Sequence, residues 1–261
     1  MLLNHHRVGT GEPLVLIHGV GSRWQVWEPV IETLATTFDV IAVDLPGFGE
    51  SEPLPHTTVD SLTDALHAFL TEQGIENPHL AGNSMGGLIA LNLGARGIAR
   101  SVTAYSPIGF WSDAGRIWCQ QALGRAATLG RTLRSRLPQI LGTAAGRTAF
   151  LSIVFGRPWV LDTATAVATV DGVLNSAGFR PALASFDTAR LRDGGRLARI
   201  PVTIAWGSRD VLLTYHTQSR RARQWLPAAC HRTLHGSGHT PFYDDPAGCA
   251  KIVLDQAATA G

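Results

Sequence analysis

Apolar and polar positions along this chain change over in blocks rather than residue by residue. Residues 14–17 form a short apolar run stopped by His18-Gly19, and residues 38–43 form a second, stopped by Asp44. Residues 79–81 lead into Gly82, and residues 101–105 into Ser106-Pro107. Two more runs, at 202–206 and 230–234, end at Gly207 and His235-Gly236. Continuous runs of this length, bounded by turn residues, are what strands buried on both faces of a parallel sheet look like. Between them, helical spacing predicts helices over residues 24–34, 59–73, 85–96, 216–226 and 247–257. The alternation predicts an α/β chain with a doubly wound, mostly parallel sheet.

One interval breaks the rhythm. About ninety residues separate the run ending at Tyr105 from the one starting at Val202. They contain helical patches at 117–129, 149–155 and 163–174 and no clear strand. A structureless loop of that length is improbable, so residues 108–199 are expected to be a helical cap inserted in the core. The core itself would be residues 1–107 and 200–261, with room for at most one strand before Leu14. The cap is expected to be mobile and to select the substrate without joining the chemistry.

Composition narrows the classes. Of 261 residues, 45% are hydrophobic and 16% charged, enough for a large core and no sign of disorder. A net charge of +2 points to neither a nucleic-acid partner nor a strong membrane field. No apolar run approaches the roughly 20 residues of a membrane span, and residues 1–11 carry no signal-like stretch. Cys119, Cys230 and Cys249 lack metal-ligand spacing and read as reduced, buried thiols of a cytoplasmic protein. Oligomeric state is not legible.

The strongest chemical signal is Gly82-Asn83-Ser84-Met85-Gly86-Gly87, which fits G-x-S-x-G between an apolar strand and a helix. So sharp a turn needs small neighbours at 82 and 86. It lifts the Ser84 hydroxyl to the carboxyl end of the sheet, above a helix N-terminus. A second signal, His18-Gly19-Val20-Gly21, follows the first strand. Acyl transfer needs two N–H donors aimed at an oxyanion; Met85 would supply one and Val20 the other. His18 reads as a brace for that loop.

These motifs, with Asp44-Leu45-Pro46-Gly47-Phe48-Gly49-Glu50-Ser51, Trp206-Gly207-Ser208-Arg209-Asp210 and Gly238-His239, resemble the α/β-hydrolase family. The chain is similar to the branch that holds small carboxylesterases, monoacylglycerol-lipase-like enzymes, cofactor-free perhydrolases and carbon–carbon bond hydrolases. The resemblance covers roughly residues 12–107 and 200–258. It implies the chain order nucleophile, acid, histidine: Ser84, then Asp210 in the turn after a late strand, then His239 after the last. Asp113, shortly after Tyr105, is a rival acid. His231 and His235 read as sheet residues. The resemblance makes residues 44–51 a brace for the oxyanion loop.

The implied chemistry is ester hydrolysis through an acyl-enzyme on a small-molecule substrate, with no metal or organic cofactor. Serine at 84 speaks against dehalogenase and epoxide-hydrolase chemistry, where relatives place an aspartate. The carbon–carbon hydrolases resembled here carry a Gly-Pro-Gly loop and a tryptophan after the histidine, whereas this chain has Gly21-Ser22 and Thr240. Those enzymes, perhydrolases and a slow ligand receptor with an intact triad remain as alternatives. Seven arginines of the insert (116, 125, 131, 134, 136, 147 and 157) form either a solvated face or an anion-recognising lid. Trp118, Phe150, Phe155 and Trp159 read as core, and Trp111 as an aromatic overhanging the substrate pocket.

Overall fold

The computed structural model describes residues 2–191 and 193–260. Met1 and Gly261, at the outer ends of the expected core, and Arg192 of the insert lie outside the described residues. The chain runs β1 (His5–Val8), β2 (Glu12–Ile17), α1 (Glu28–Ala35), β3 (Phe38–Val43), α2 (Val59–Glu72), β4 (His79–Asn83), α3 (Met85–Ala95) and β5 (Ser101–Tyr105). Five helices follow: α4 (Asp113–Thr132), α5 (Leu137–Leu141), α6 (Ala144–Leu151), α7 (Thr163–Asn175) and α8 (Phe179–Ala184). The sheet resumes with β6 (Val202–Gly207), α9 (Tyr215–Trp225), β7 (Cys230–Leu234) and α10 (Pro246–Ala258).

Seven strands make one sheet in the order β1-β3-β2-β4-β5-β6-β7. Every neighbouring pair is parallel except β1 with β3, which run antiparallel in the register His5↔Val43 to Val8↔Val40. The six expected strands are present, and β1 takes the space left before Leu14. It is a polar edge strand, where the Arg7 guanidinium pairs with Asp39 across the outer ladder. Charge on an edge strand discourages pairing with another chain.

Chain direction across the sheet reverses between β2 and β4. The path from β2 goes outward to β3, then returns to the other side of β2 as β4. A crevice opens outside the carboxyl ends of strands at such a switch point. The loop after β2 and the turn into α3 both lie there.

Each face of the sheet carries its own core. On one, Ile17, Ile41 and Leu80 pack with Leu66, Phe69 and Leu88 of α2 and α3. On the other, Leu14, Leu16 and Val40 pack with Trp27, Leu34 and Val253 of the α1 and α10 side. Every residue of α3 is buried, as a helix without a polar face must be. Leu137, Leu141, Leu151, Phe155 and Leu161 form a third, separate cluster inside the insert. Fully burying one such side chain contributes about 1.5–3 kcal/mol, so this cluster gives α5 to α7 cohesion of their own. No helix among the described residues is long and apolar enough to cross a membrane.

Candidate active site

The turn between β4 and α3 is tight. A Cβ on Gly82 would sit 2.1 Å from the Gly86 carbonyl oxygen, and one on Gly86 would sit 2.2 Å from that of Ile17. Ser84 between them takes φ 56° and ψ −115°, a conformation that side-chain-bearing residues rarely adopt. Its amide donates to the Tyr105 carbonyl at 2.9 Å and its carbonyl accepts from Ile108, so neighbouring β5 fixes the strained residue. Met85, the first residue of α3, has an amide with no acceptor inside the helix.

The loop after β2 faces Ser84 across the switch point. A Cβ on Gly19 would meet that of Ser84 at 3.1 Å. His18 is fully buried: its Nε2 accepts from the Leu45 amide at 3.0 Å, which leaves Nδ1 to donate to the Gly19 carbonyl at 2.7 Å. Burial holds this imidazole below the ordinary histidine range, partly offset by the Gly19 carbonyl and by Asp44. Asp44 is a buried hub that accepts from Asn4 Nδ2 and from the Trp24 and Glu50 amides. One carboxylate thus ties the loop of Val20 to the turn at residues 44–51.

Asp210 and His239 meet at the carboxyl ends of β6 and β7. His239 Nδ1 lies 2.9 Å from Asp210 Oδ2, and both side chains are buried. Asp210 Oδ1 accepts from the Leu212 and Leu213 amides at 3.0 and 2.8 Å. Asp113 sits in the first turn of α4, 95% exposed, with Arg116 Nη2 at 3.8 Å. Close packing seats the histidine loop, because a Cβ on Gly207 would lie 2.0 Å from the Gly238 carbonyl oxygen. The Asn83 side-chain amide donates to the Tyr105 and His239 carbonyls at 3.1 and 3.0 Å. This residue before Ser84 therefore links the turn to the histidine, a role the motif alone does not disclose.

Ser84, His239 and Val20 open onto one cavity of about 310 Å³. Its walls are mostly apolar and come from both parts of the chain: Val26 and Leu212 on one side, Leu123, Val154, Phe155, Ala168 and Val173 of the insert on the other. Trp111 is not among the wall residues, contrary to the sequence expectation. The chain turns after Phe110 and lays Trp111 against Phe186, ring centroids 5.4 Å apart. Phe155 does line the cavity, while Trp118 and Trp159 are about half exposed rather than core. None of the seven arginines lines it; Arg116 pairs with Asp187, and Arg134 donates to Asn175. His235 falls in the turn after β7, and Cys230 is exposed at the start of that edge strand, unlike buried Cys119 and Cys249. Burial, reinforced by Asp210, pushes the Cys119 thiol up to about 12, so it stays protonated.

Asp244 was not legible as a site residue. It is buried, and its carboxylate accepts from the amides of Gly156, Arg157 and Gly238. Its neighbour Asp245 caps α10 by accepting from Gly248. Among the described residues, no group of three or more His, Cys, Asp or Glu side chains is placed to hold a metal ion.

A hydroxyl at a strained turn, an imidazole on the same cavity and a carboxylate behind that imidazole are thus brought together. Residues 14–252 match the alpha/beta hydrolase family. An uncharacterized protein of Mycobacterium tuberculosis is 28% identical over 263 residues, 94% of this chain and 75% of its own length. The pimeloyl-(acyl-carrier protein) methyl ester esterase of Chromobacterium violaceum is 31% identical over 245 residues, 90% of each chain. The enol-lactonase from Burkholderia xenovorans LB400 shares the fold with a TM-score of 0.78 at 21% identity, over 98% of this chain and 96% of its own. With its mostly parallel seven-stranded sheet and a family match over nearly all its length, the chain belongs to the alpha/beta hydrolase family.

Proposed function

We propose that this chain is a serine hydrolase that cleaves a carboxylic ester of a small or medium apolar substrate through an acyl-enzyme. The observation that carries the reading is Asp210 Oδ2 at 2.9 Å from Nδ1 of a histidine that shares a cavity with Ser84. A carboxylate so placed keeps the proton on Nδ1 and frees Nε2 to act as a base. His239 Nε2 takes the Ser84 proton as Ser84 Oγ attacks the ester carbonyl carbon. The oxygen gathers negative charge between the Val20 and Met85 amides. The C–O bond to the alcohol breaks, and the imidazolium returns its proton to the leaving oxygen. Water activated by the same histidine then releases the acid.

Residues 108–199 act in this reading as a cap. Their own apolar cluster and their share of the cavity wall support it. The mainly apolar walls favour an apolar acyl or alcohol group, and the methyl ester esterase among the relatives fits ester chemistry. The test is covalent labelling. A small phosphonate should modify Ser84 alone, and Ser84→Ala should lose both the label and ester turnover. An adduct on another residue, or an active alanine variant, ends the proposal. Chromogenic esters of graded acyl length, run beside a dienone ring-cleavage product, separate ester from carbon–carbon bond cleavage.

A further inference from the structure

The buried carboxylate of Asp244 stands outside the mechanism above, yet it joins the insert to the loop that carries His239. Oδ2 accepts from the Gly156 amide at 2.8 Å and the Gly238 amide at 2.9 Å, and Oδ1 accepts from the Arg157 amide at 2.8 Å. Two of the three donors belong to the insert, and the third belongs to the residue before the histidine. A second tie runs parallel, since the Thr240 amide donates to the Val154 carbonyl at 2.8 Å. Between these ties the two backbones touch. A Cβ on Gly156 would lie 2.3 Å from the Gly236 carbonyl oxygen, and one on Gly238 would lie 2.4 Å from the Gly156 nitrogen. The segment that clasps the histidine loop also ends in the cavity wall, at Val154 and Phe155.

We infer that Asp244 is a positioning residue: it fixes the imidazole of His239 over Ser84 by clamping residues 154–157 of the insert to Gly238. The insert then joins the chemistry through the backbone of the histidine loop, rather than serving only as a detached selector of substrate. A carboxylate suits the task, because it offers only acceptors to three converging N–H groups. Asparagine would present an NH₂ to one of those donors. A reacting group misplaced by about 1 Å can cost on the order of 100-fold in rate.

The inference rests on the serine-hydrolase reading, and one experiment separates the two. The second-order rate of Ser84 labelling by a small phosphonate is measured in wild type, Asp244→Asn and Thr143→Ala. Thr143 caps α6 in the same insert and touches neither the cavity nor the histidine loop, so its variant controls for lost stability. Such a probe needs the histidine but little of the acyl pocket. We expect Asp244→Asn to label about ten- to a hundred-fold more slowly and to lose kcat more than it raises KM, with Thr143→Ala labelling at the wild-type rate. Equal labelling of wild type and Asp244→Asn overturns the positioning role and leaves the hydrolase reading intact. Failure of wild type to label at Ser84 removes both. If Asp244→Asn does not fold, hydrogen exchange in the wild-type protein decides: the Gly156, Arg157 and Gly238 amides should open together. A Gly238 amide that exchanges far faster than the other two overturns the clamp.

Discussion

Asp210 faces His239 with one oxygen and its own loop with the other. Oδ2 lies 2.9 Å from His239 Nδ1 while Oδ1 accepts from the Leu212 and Leu213 amides. Rotating the carboxylate away would strand two buried amides, so its aim is fixed. Asp210→Asn should therefore lower kcat by roughly 10⁴-fold by favouring the wrong imidazole tautomer. Asp113→Asn, on the exposed turn of α4, should leave kcat unchanged. Steady-state rates on one chromogenic ester decide it, and a dead Asp113 variant would reassign the acid.

The cavity walls make a second expectation specific. Ala168→Phe adds bulk to the cavity wall and should shorten the longest acyl chain accepted. Trp111→Ala should give an acyl-length profile that overlays wild type, because that ring packs on Phe186 instead. A shifted profile for Trp111→Ala would return the residue to the pocket.

Two glycines should respond in opposite directions to alanine. At Gly82 the added methyl meets a backbone oxygen at 2.1 Å, which no side-chain adjustment relieves. Gly82→Ala should cost about 1–3 kcal/mol or more, seen as a lower Tm or as loss of folded protein. At Gly124, inside α4, an added methyl would meet nothing within 4 Å. Gly124→Ala should stabilise by about 0.5–1 kcal/mol. Equal Tm values for the two variants would contradict the tight turn.

Acid should loosen the fold through His18. Burial lowers the proton affinity of this imidazole in the folded chain, so the unfolded chain binds the proton first. Its contribution to stability is complete above the ordinary histidine value of about 6.5 and is lost as pH falls below it. His231, lowered by burial as well, acts in the same direction. Glu12, held low by His79, acts only in the more acidic carboxylate range. Tm measured from about pH 8 to about pH 5 should fall, and His18→Gln should flatten the slope without removing it. An unchanged slope in that variant would dissociate His18 from the effect.

The strands were legible where burial was complete on both faces. Residues 38–43 and 101–105 begin and end as strands where the apolar runs do, and residues 230–234 do so as an edge strand that is only partly buried. β1 left almost no trace, since a four-residue edge strand of His-His-Arg-Val needs apolar contact on one side only. The tight turn at Ser84 was legible because few sequences satisfy such a geometry. Trp111 misled because nearness to a strand end does not say which way the chain leaves it. Asp244 stayed hidden beside Asp245, whose capping of α10 accounts for an aspartate before proline; three backbone donors from two distant segments have no signature in sequence.

β5 ends at Tyr105 and its parallel neighbour β6 begins at Val202, so all of α4 to α8 is threaded through one gap between adjacent strands. Closing a chain loop costs free energy that grows only logarithmically with its length, about 0.6 kcal/mol for each doubling. Added or deleted helical turns in that gap therefore weigh little on whether the sheet assembles. They weigh more on how fast it does, because β6 must find β5 across a long stretch of chain before the pairing is rewarded. The fold can consequently exchange the walls over Ser84 for others of different length while the strands beneath keep their register.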